Sequence, residues 1–403
     1  MNNTALKIEN STVETTKDVL YTNSINNTFI IGFQLWRFRV KMRLRLLKLI
    51  VVNYSSPIDW VKAYDYLKTM RKNILGIPKI HKLVHVNGKY YMGLYTSAWF
   101  SKEFDQFIYS LLNDFKPIKR PFNRFNMVFI SVTSKCPLQC EHCYDYDQLN
   151  DKGTSNKANL DEIVNKFQSL GVGHIQFLGG EPLLESKAIC ETVKSSKTGT
   201  DFWITTSGFS LNKVKAEELK ASGITGVIVS LDHYNAQKHN NFRNNKNAFN
   251  WALSAVKNAN NAKLIVALSL CVTKDFLTKE NLKNYMALAK EIGVSYVQFL
   301  EPKPVGHFNK KDVLLNKAQI SILENFFITY NFSSLYNDYP IIIYPGYHQR
   351  KIGCMLAGKK SVYIDANGNI NACPFCHKSY GKIIDDNFTR NLEKLASEGC
   401  IEY

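Results

Sequence analysis

Met127-Val128-Phe129-Ile130-Ser131-Val132-Thr133, followed after two residues by Cys136-Pro137-Leu138-Gln139-Cys140-Glu141-His142-Cys143, is the stretch from which the fold is read. A strand-favouring apolar run stops just before three thiols separated by three and then two residues. Three such thiols can close on one face of an inorganic cluster, while no fourth thiol lies near enough in sequence to complete a tetrahedral zinc site. A cluster held by three cysteines keeps one iron free.

Outward from this stretch the pattern repeats. Apolar, β-branched or aromatic runs at 127–133, 174–178, 201–206, 226–231, 263–270 and 295–300 alternate with helical patterns at 160–170, 183–194, 212–221, 246–258, 279–291 and 316–329. In the first helix, Asn159 is placed to cap, Asp161 and Glu162 occupy the first turn, and Leu160, Ile163, Val164, Phe167 and Leu170 recur at helical spacing before Gly171. Six strand-helix units predict an α/β chain with a parallel sheet closed into a partial barrel, the core spanning 121–335. Chemistry in such a fold sits where strands end in loops, and the three cysteines follow the first strand.

The flanks differ. Residues 1–26 are polar and read as a disordered lead. Residues 27–120 read as an α+β accessory region: a basic amphipathic segment from Phe29 to Tyr54, a helix through Trp60, Ala63, Tyr64, Leu67 and Met70, a break at Gly76-Ile77-Pro78, a hairpin about Asn87-Gly88, and a serine-capped helix from Ser101, with Pro117 and Pro121 at the exit. The basic segment either packs on the protein or lies in a membrane interface with its arginines on phosphates. From 336 to 403 short strands and turns carry Cys354, Cys373, Cys376 and Cys400, with a hairpin at Val362-Tyr363-Ile364-Asp365-Ala366-Asn367-Gly368-Asn369-Ile370.

The totals set outer limits. The 403 residues carry a formal charge of +17, which favours anionic partners without choosing among them. No window offers the roughly 20 uncharged apolar residues of a membrane span. The N-terminus does not resemble a secretory signal, and nine cysteines without export point to reduced thiols and metal ligation, so a cytoplasmic protein is expected, with a peripheral membrane contact through 29–54 as an option.

The CxxxCxxC loop followed by Gly179-Gly180-Glu181-Pro182 after the second strand resembles the radical S-adenosylmethionine superfamily over residues 127 to about 305. The resemblance implies that Cys136, Cys140 and Cys143 hold a [4Fe-4S] cluster whose free iron binds S-adenosylmethionine. Reductive cleavage then yields a 5′-deoxyadenosyl radical that removes hydrogen from a substrate. It further implies roles around the cofactor: His142 near the adenine, Gly179 and Gly180 allowing close backbone approach, and Glu181 accepting from the methionyl ammonium. Thr205 and Ser207 are hydroxyl candidates for the ribose, and Ser230 and Asp232 for ribose or substrate. Arg243 would pair with the methionyl carboxylate. Gln298 and Glu301 are expected at the same mouth. His174, His233 and His307 read as structural or solvent-facing, and Cys190 and Cys271 as buried, Cys271 also as a hydrogen donor to a substrate radical.

The tail resembles the SPASM/twitch extension, with one auxiliary [4Fe-4S] cluster on Cys354, Cys373 and Cys376 and either Cys400, His377 or an open iron in fourth place; zinc on Cys373 and Cys376 is the alternative. By family analogy the substrate is a peptide or small biosynthetic molecule and the electron donor a flavodoxin or ferredoxin. Two other readings stand beside this: the same chemistry on a lipid or lipid-linked substrate, and a non-catalytic zinc or cluster module for nucleic acid, the less expected partner.

Overall fold

The computed structural model describes residues 28–75, 81–118, 125–151, 155–354 and 357–400. The lead expected at 1–26, the break at Gly76-Ile77-Pro78 and the exit residue Pro121 lie outside the described residues.

Period-2 alternation decides the core. Strands β4 (Met127–Ser131), β5 (His174–Leu178), β6 (Asp201–Thr206), β7 (Ile224–Ser230), β8 (Ile265–Cys271) and β9 (Tyr296–Leu300) pair in parallel in chain order. One set of positions, including Val128, Ile130, Ile175, Phe177, Ile204, Val229, Leu268 and Phe299, is apolar and buried in one large core cluster. That cluster also takes in buried faces of α4 (Leu160–Ser169), α5 (Ser186–Ser195), α6 (Lys213–Ser222), α8 (Ala248–Asn261), α9 (Lys279–Glu291) and α10 (Lys317–Phe332). The alternate set lines the concave side and carries the polar positions Ser131, Gln176, Thr205, Ser230, Ser269 and Gln298 beside a few large rings such as Trp203 and Tyr296.

The sheet is larger than six strands. β10 (Ile341–Ile343) adds in parallel to β9, and β11 (Ser361–Ile364) adds in parallel to β4 with β12 (Ile370–Asn371) antiparallel beyond it. The sheet therefore continues across the boundary expected at residue 335, and its edges β10 and β12 do not pair, so the barrel stays open. A helix that the sequence pattern did not single out, α7 (Ala236–Arg243), precedes α8; Asn235 caps it by accepting from the Lys238 N–H at 3.0 Å. The Asn159 cap is not formed, because a 3-10 turn at Lys157–Asn159 leads into α4.

The accessory region plugs the concave side. β1 (Thr28–Ile30), β2 (Leu83–Val86) and β3 (Lys89–Tyr91) form a separate antiparallel sheet, joined at Asn87-Gly88 with both residues at positive φ as a type I′ turn needs. Helices α1 (Gly32–Asn53), α2 (Pro57–Leu75) and α3 (Lys102–Phe115) pack around Ile50, Tyr54, Ala63, Leu67, Phe104 and Leu112. Val84, Val86, Tyr91, Leu94 and Ala98 then press on Trp203, Ile228, Ala267, Tyr296 and Ile341, which are inward positions of the large sheet. Trp203 fits because its neighbour is Gly226, where a Cβ would lie 2.7 Å from the indole. Buried Lys82 closes the seam, its Nζ donating to the Tyr336 and Tyr339 carbonyls at 2.6 Å each.

Trp203→Ala should cost about 3–5 kcal/mol in denaturant unfolding, since neither wall of this interface can collapse into the space. His174, beside Trp203, is pushed down to about 4 by burial. Between pH 6.5 and 4 the unfolded chain therefore takes up a proton that the folded one refuses. Stability should fall on acidification by up to about 1.4 kcal/mol per pH unit from this residue, and His174→Phe should remove that part of the slope.

Candidate active site

The cysteine loop is held from below, from the side and from behind. Below it, Gly180 N–H donates to the Thr133 carbonyl and Glu181 N–H to the Lys135 carbonyl, both at 2.7 Å. A Cβ at Gly179, where φ is +151°, would lie 2.5 Å from the Thr133 oxygen, and one at Gly180 only 2.4 Å from the Lys135 oxygen. The two glycines thus let the second loop pass directly against the first. At the side, Glu141 N–H donates to the Phe242 carbonyl at 3.0 Å and His142 stacks on the Phe242 ring at 4.7 Å. Behind, Cys136 N–H donates to the Asn150 carboxamide at 2.9 Å. His307 N–H donates to the Cys143 carbonyl at 2.9 Å, and His307 Nδ1 lies 2.9 Å from the Cys140 carbonyl.

Of the two roles expected for His307, structural or solvent-facing, it has the structural one: it braces the loop, stacked on Tyr146 at 4.0 Å and preceded by Gly306, where a Cβ would sit 2.2 Å from the Cys143 oxygen. The signal available in sequence was the Gly306-His307 pair just beyond the last core strand.

Glu181 has a different employment from the one expected. Its carboxylate is fully buried: Oε1 accepts from Thr206 Oγ1 at 2.7 Å and Leu183 N–H at 3.1 Å, and Oε2 accepts from Ser207 N–H at 2.9 Å and Ser207 Oγ at 2.5 Å. Four donors fill its acceptor sites, so no lone pair is left for a ligand's ammonium. Glu181 instead ties the loop after β5 to the end of β6, and Ser207 is its partner. Burial raises the Glu181 pKa against these hydrogen bonds.

Arg243 and Asp232 likewise face each other. Arg243 Nε and a terminal nitrogen each lie 2.6 Å from one Asp232 oxygen, the other oxygen accepts from Cys271 N–H at 3.1 Å, and Arg243 Nη1 reaches Cys140 Sγ at 3.5 Å. Burial opposes charge on Asp232, but the guanidinium outweighs it and holds the carboxyl below its usual range. Asp232 is thus an anchor for Arg243, and the arginine places a positive charge beside one thiol.

Thr205 is half-buried on the concave side, where its Oγ1 accepts from Gln176 at 2.7 Å, and half-buried Ser230 ends β7 near it. Gln298 donates to the Tyr95 hydroxyl of the plug, and Glu301 accepts from Tyr344 and Arg350 at 2.6 and 2.5 Å; neither is directed at an open mouth. Cys271 is buried on the concave side, and Cys190 is buried within α5.

All nine cysteines are free. Burial pushes Cys136 and Cys143 up to about 12, and the neighbouring thiols add to it. Thiols gathered where they cannot ionise alone suit a cationic cluster, which supplies the missing positive charge.

The tail repeats this on a second set. Burial pushes Cys373 up to about 12, and the nearby thiols of Cys400, Cys376 and Cys354 add to it. Cys400 returns because α12 (Phe388–Glu398), which follows α11 (Pro345–Ile352), packs its Leu395 against the turn at Gly358. His377 is exposed. Phe375, between Cys373 and Cys376, meets the Tyr144 ring edge-on at 5.9 Å, joining the second set to the first loop.

Among the described residues no group of three or more His, Cys, Asp or Glu is gathered tightly enough for a single metal ion. A cubane places each thiolate on its own iron and asks for convergence without that tightness.

Residues 130–292 match the family model described as Radical SAM superfamily. The chain carries a radical SAM domain. For this family the cofactors are a [4Fe-4S] cluster and S-adenosylmethionine, and the three thiols of the first loop fit such a cluster. A probable GTP 3′,8-cyclase of Archaeoglobus fulgidus is 36% identical over 110 residues, 27% of this chain and 36% of that protein. The GTP 3′,8-cyclase of Clostridium botulinum strain Hall is 27% identical over 205 residues, 49% of this chain and 63% of that protein. The chain thus spans less than two thirds of these curated relatives.

In structure, Streptococcus suis SuiB bound to its precursor peptide SuiA aligns with a TM-score of 0.57 at 14% identity over 87% of this chain and 82% of that one. The protein anSMEcpe with bound AdoMet aligns at 0.54 and 19% identity over 68% and 82%. The radical SAM domain shares its fold with both.

Glu181→Gln sets an amide N–H₂ against donors and should cost about 1–3 kcal/mol in urea unfolding. Adding Ser207→Ala removes one of the conflicting donors, the hydroxyl, and should recover part of the loss, a non-additivity that the double-mutant cycle reads directly.

Proposed function

We propose that this protein is a radical SAM enzyme that cleaves S-adenosylmethionine reductively and removes hydrogen from a peptide. The observation that carries the chemistry is the cysteine loop itself: three neighbouring thiols, Cys140 buried and Cys136 and Cys143 partly buried, at the strand ends of a radical SAM domain. When bound, the cluster and S-adenosylmethionine supply the 5′-deoxyadenosyl radical that does the hydrogen abstraction.

The chain's own residues orient and insulate. Gly179 and Gly180 set the height of the cysteine loop, and the Glu181–Ser207 clamp fixes the end of β6, where Thr205 and Ser207 offer hydroxyls to a ribose. His142, neutral because burial pushes it down to about 4, presents a flat ring backed by Phe242 beside an adenine. Arg243, kept charged by Asp232, offers its remaining N–H groups near Cys140. Cys354, Cys373, Cys376 and Cys400 hold one auxiliary [4Fe-4S] cluster in a SPASM/twitch-like tail, and a flavodoxin or ferredoxin supplies the electron.

The peptide reading is supported by the breadth of the likeness to SuiB, which extends well beyond the radical SAM domain, and by the presence of the second thiol set. The nucleotide named for the cyclases belongs to proteins that this chain matches over a shorter span.

Protein reconstituted anaerobically should hold about eight irons; alanine at Cys136, Cys140 or Cys143 should remove about four and abolish release of 5′-deoxyadenosine and methionine, as read by iron assay and chromatography. Cys373→Ala should remove the other four and leave cofactor cleavage in place. An unchanged iron count after the first substitutions would sink the assignment. With a substrate peptide deuterated at its reactive position, the label should appear in 5′-deoxyadenosine.

A further inference from the structure

Helix α1 is apolar on two opposite faces, and only one of them is used. Leu35, Phe38, Leu49 and Ile50 are buried against the protein. On the other side Phe33, Trp36, Val40, Leu44, Leu47 and Val51 follow at intervals of three and four, a line about 27 Å long. Phe33 is 70% exposed, Trp36 58% and Leu44 62%, and among the described residues nothing packs over the line. Phe33 and Trp36 stack on each other at 5.5 Å at its N-terminal end, and just beyond its other end in sequence Ile58 and Val61 of α2 are each 66% exposed.

Cations border the line on both sides. Exposed Arg37, Lys41 and Lys48 lie along one flank and Arg39 and Arg43 along the other, and α1 contains no acidic residue. Arg39 also stands near enough to Arg43 and to Arg71 of α2 for their charges to act on it. The Arg37 flank opens on a groove of about 880 Å³ floored by Phe38, Tyr90 and Phe100.

An apolar line with cations on one flank would suit many partners. Cations on both flanks of a straight helix suit a plane of negative charge above an apolar layer, because both rows then reach headgroups while the rings between them enter the acyl boundary. A second copy of the chain fits poorly, since face-to-face pairing would set basic rows against basic rows. No helix among the described residues is long and apolar enough to cross a membrane, so the contact lies in the interface plane. We infer that the exposed face of α1, from Phe33 to Val51 with Ile58 and Val61, docks the protein on an anionic lipid surface. The inference concerns where the protein works and stands whether or not the proposed chemistry does.

The test is sedimentation of the full chain with vesicles of phosphatidylcholine, with and without phosphatidylglycerol. Binding is expected to the anionic vesicles, to weaken with salt, and to fall at least about tenfold in Trp36→Ser/Leu44→Ser and again in Arg37→Glu/Lys41→Glu. Because these side chains are exposed, both variants should keep the parent's unfolding midpoint, which circular dichroism checks. Absence of vesicle binding, or binding equal in parent and folded variants, overturns the inference. So does a dimer in sedimentation velocity that Trp36→Ser/Leu44→Ser dissolves, which would make the face a self-association surface. Tight binding of soluble poly-glutamate that competes vesicles off overturns it as well, making the groove a peptide site.

Discussion

Gly179 and Gly180 pass so close to the cysteine loop that neither could carry even a methyl group, and the rest of the site depends on that contact. Two 2.7 Å hydrogen bonds fix the loop's height, and Glu181 extends the same contact sideways to β6 through its four accepted bonds. A buried carboxylate is tolerable only because every acceptor site is filled. Three consecutive residues thereby bind the ends of β4, β5 and β6 into one unit. The cysteines sit on top of that unit as a consequence of backbone packing, before any metal arrives.

Charge near the cluster loop is arranged with similar economy. Arg243 is buried, and it can remain so because Asp232 neutralises it and Cys271 N–H and a packed shell hold Asp232 in turn. A buried ion pair adds little to net stability, and its use is positional. Here the position is beside Cys140, where a cation favours thiolate over thiol.

The flanking regions are built into the sheet rather than hung from it. β10 and β11 extend the two edges of the parallel sheet, so the tail thiols inherit a fixed place relative to the first loop, with Tyr144 and Phe375 in contact between them. On the opposite flank, the small antiparallel sheet fills the part of the concave side lined by Trp203 and Tyr296. An open barrel has to solve both problems, its edges and its unfilled interior, and segments outside the family-matched residues solve them here.

Patterning determined the core: apolar runs over 127–133, 174–178 and 295–300 and the helical spacing between them settle strand, helix and parallel order, because strands covered on both sheet faces read as near-continuous apolar runs. Spacing also determined the cysteine set, since three thiols within eight residues leave few other uses. What the sequence left open were the partners of polar side chains. Glu181 was legible as a site residue, but its turn inward to Thr206 and Ser207 depends on where β6 ends beside it, a contact 26 residues away in sequence. Cys400, 24 residues after Cys376, joins the second thiol set only because α12 folds back on Gly358. The basic segment was ambiguous as a string of residues, since apolar positions on two faces of one helix blur any single period. Only packing, which covers one face and leaves the other bare, separates core from surface there.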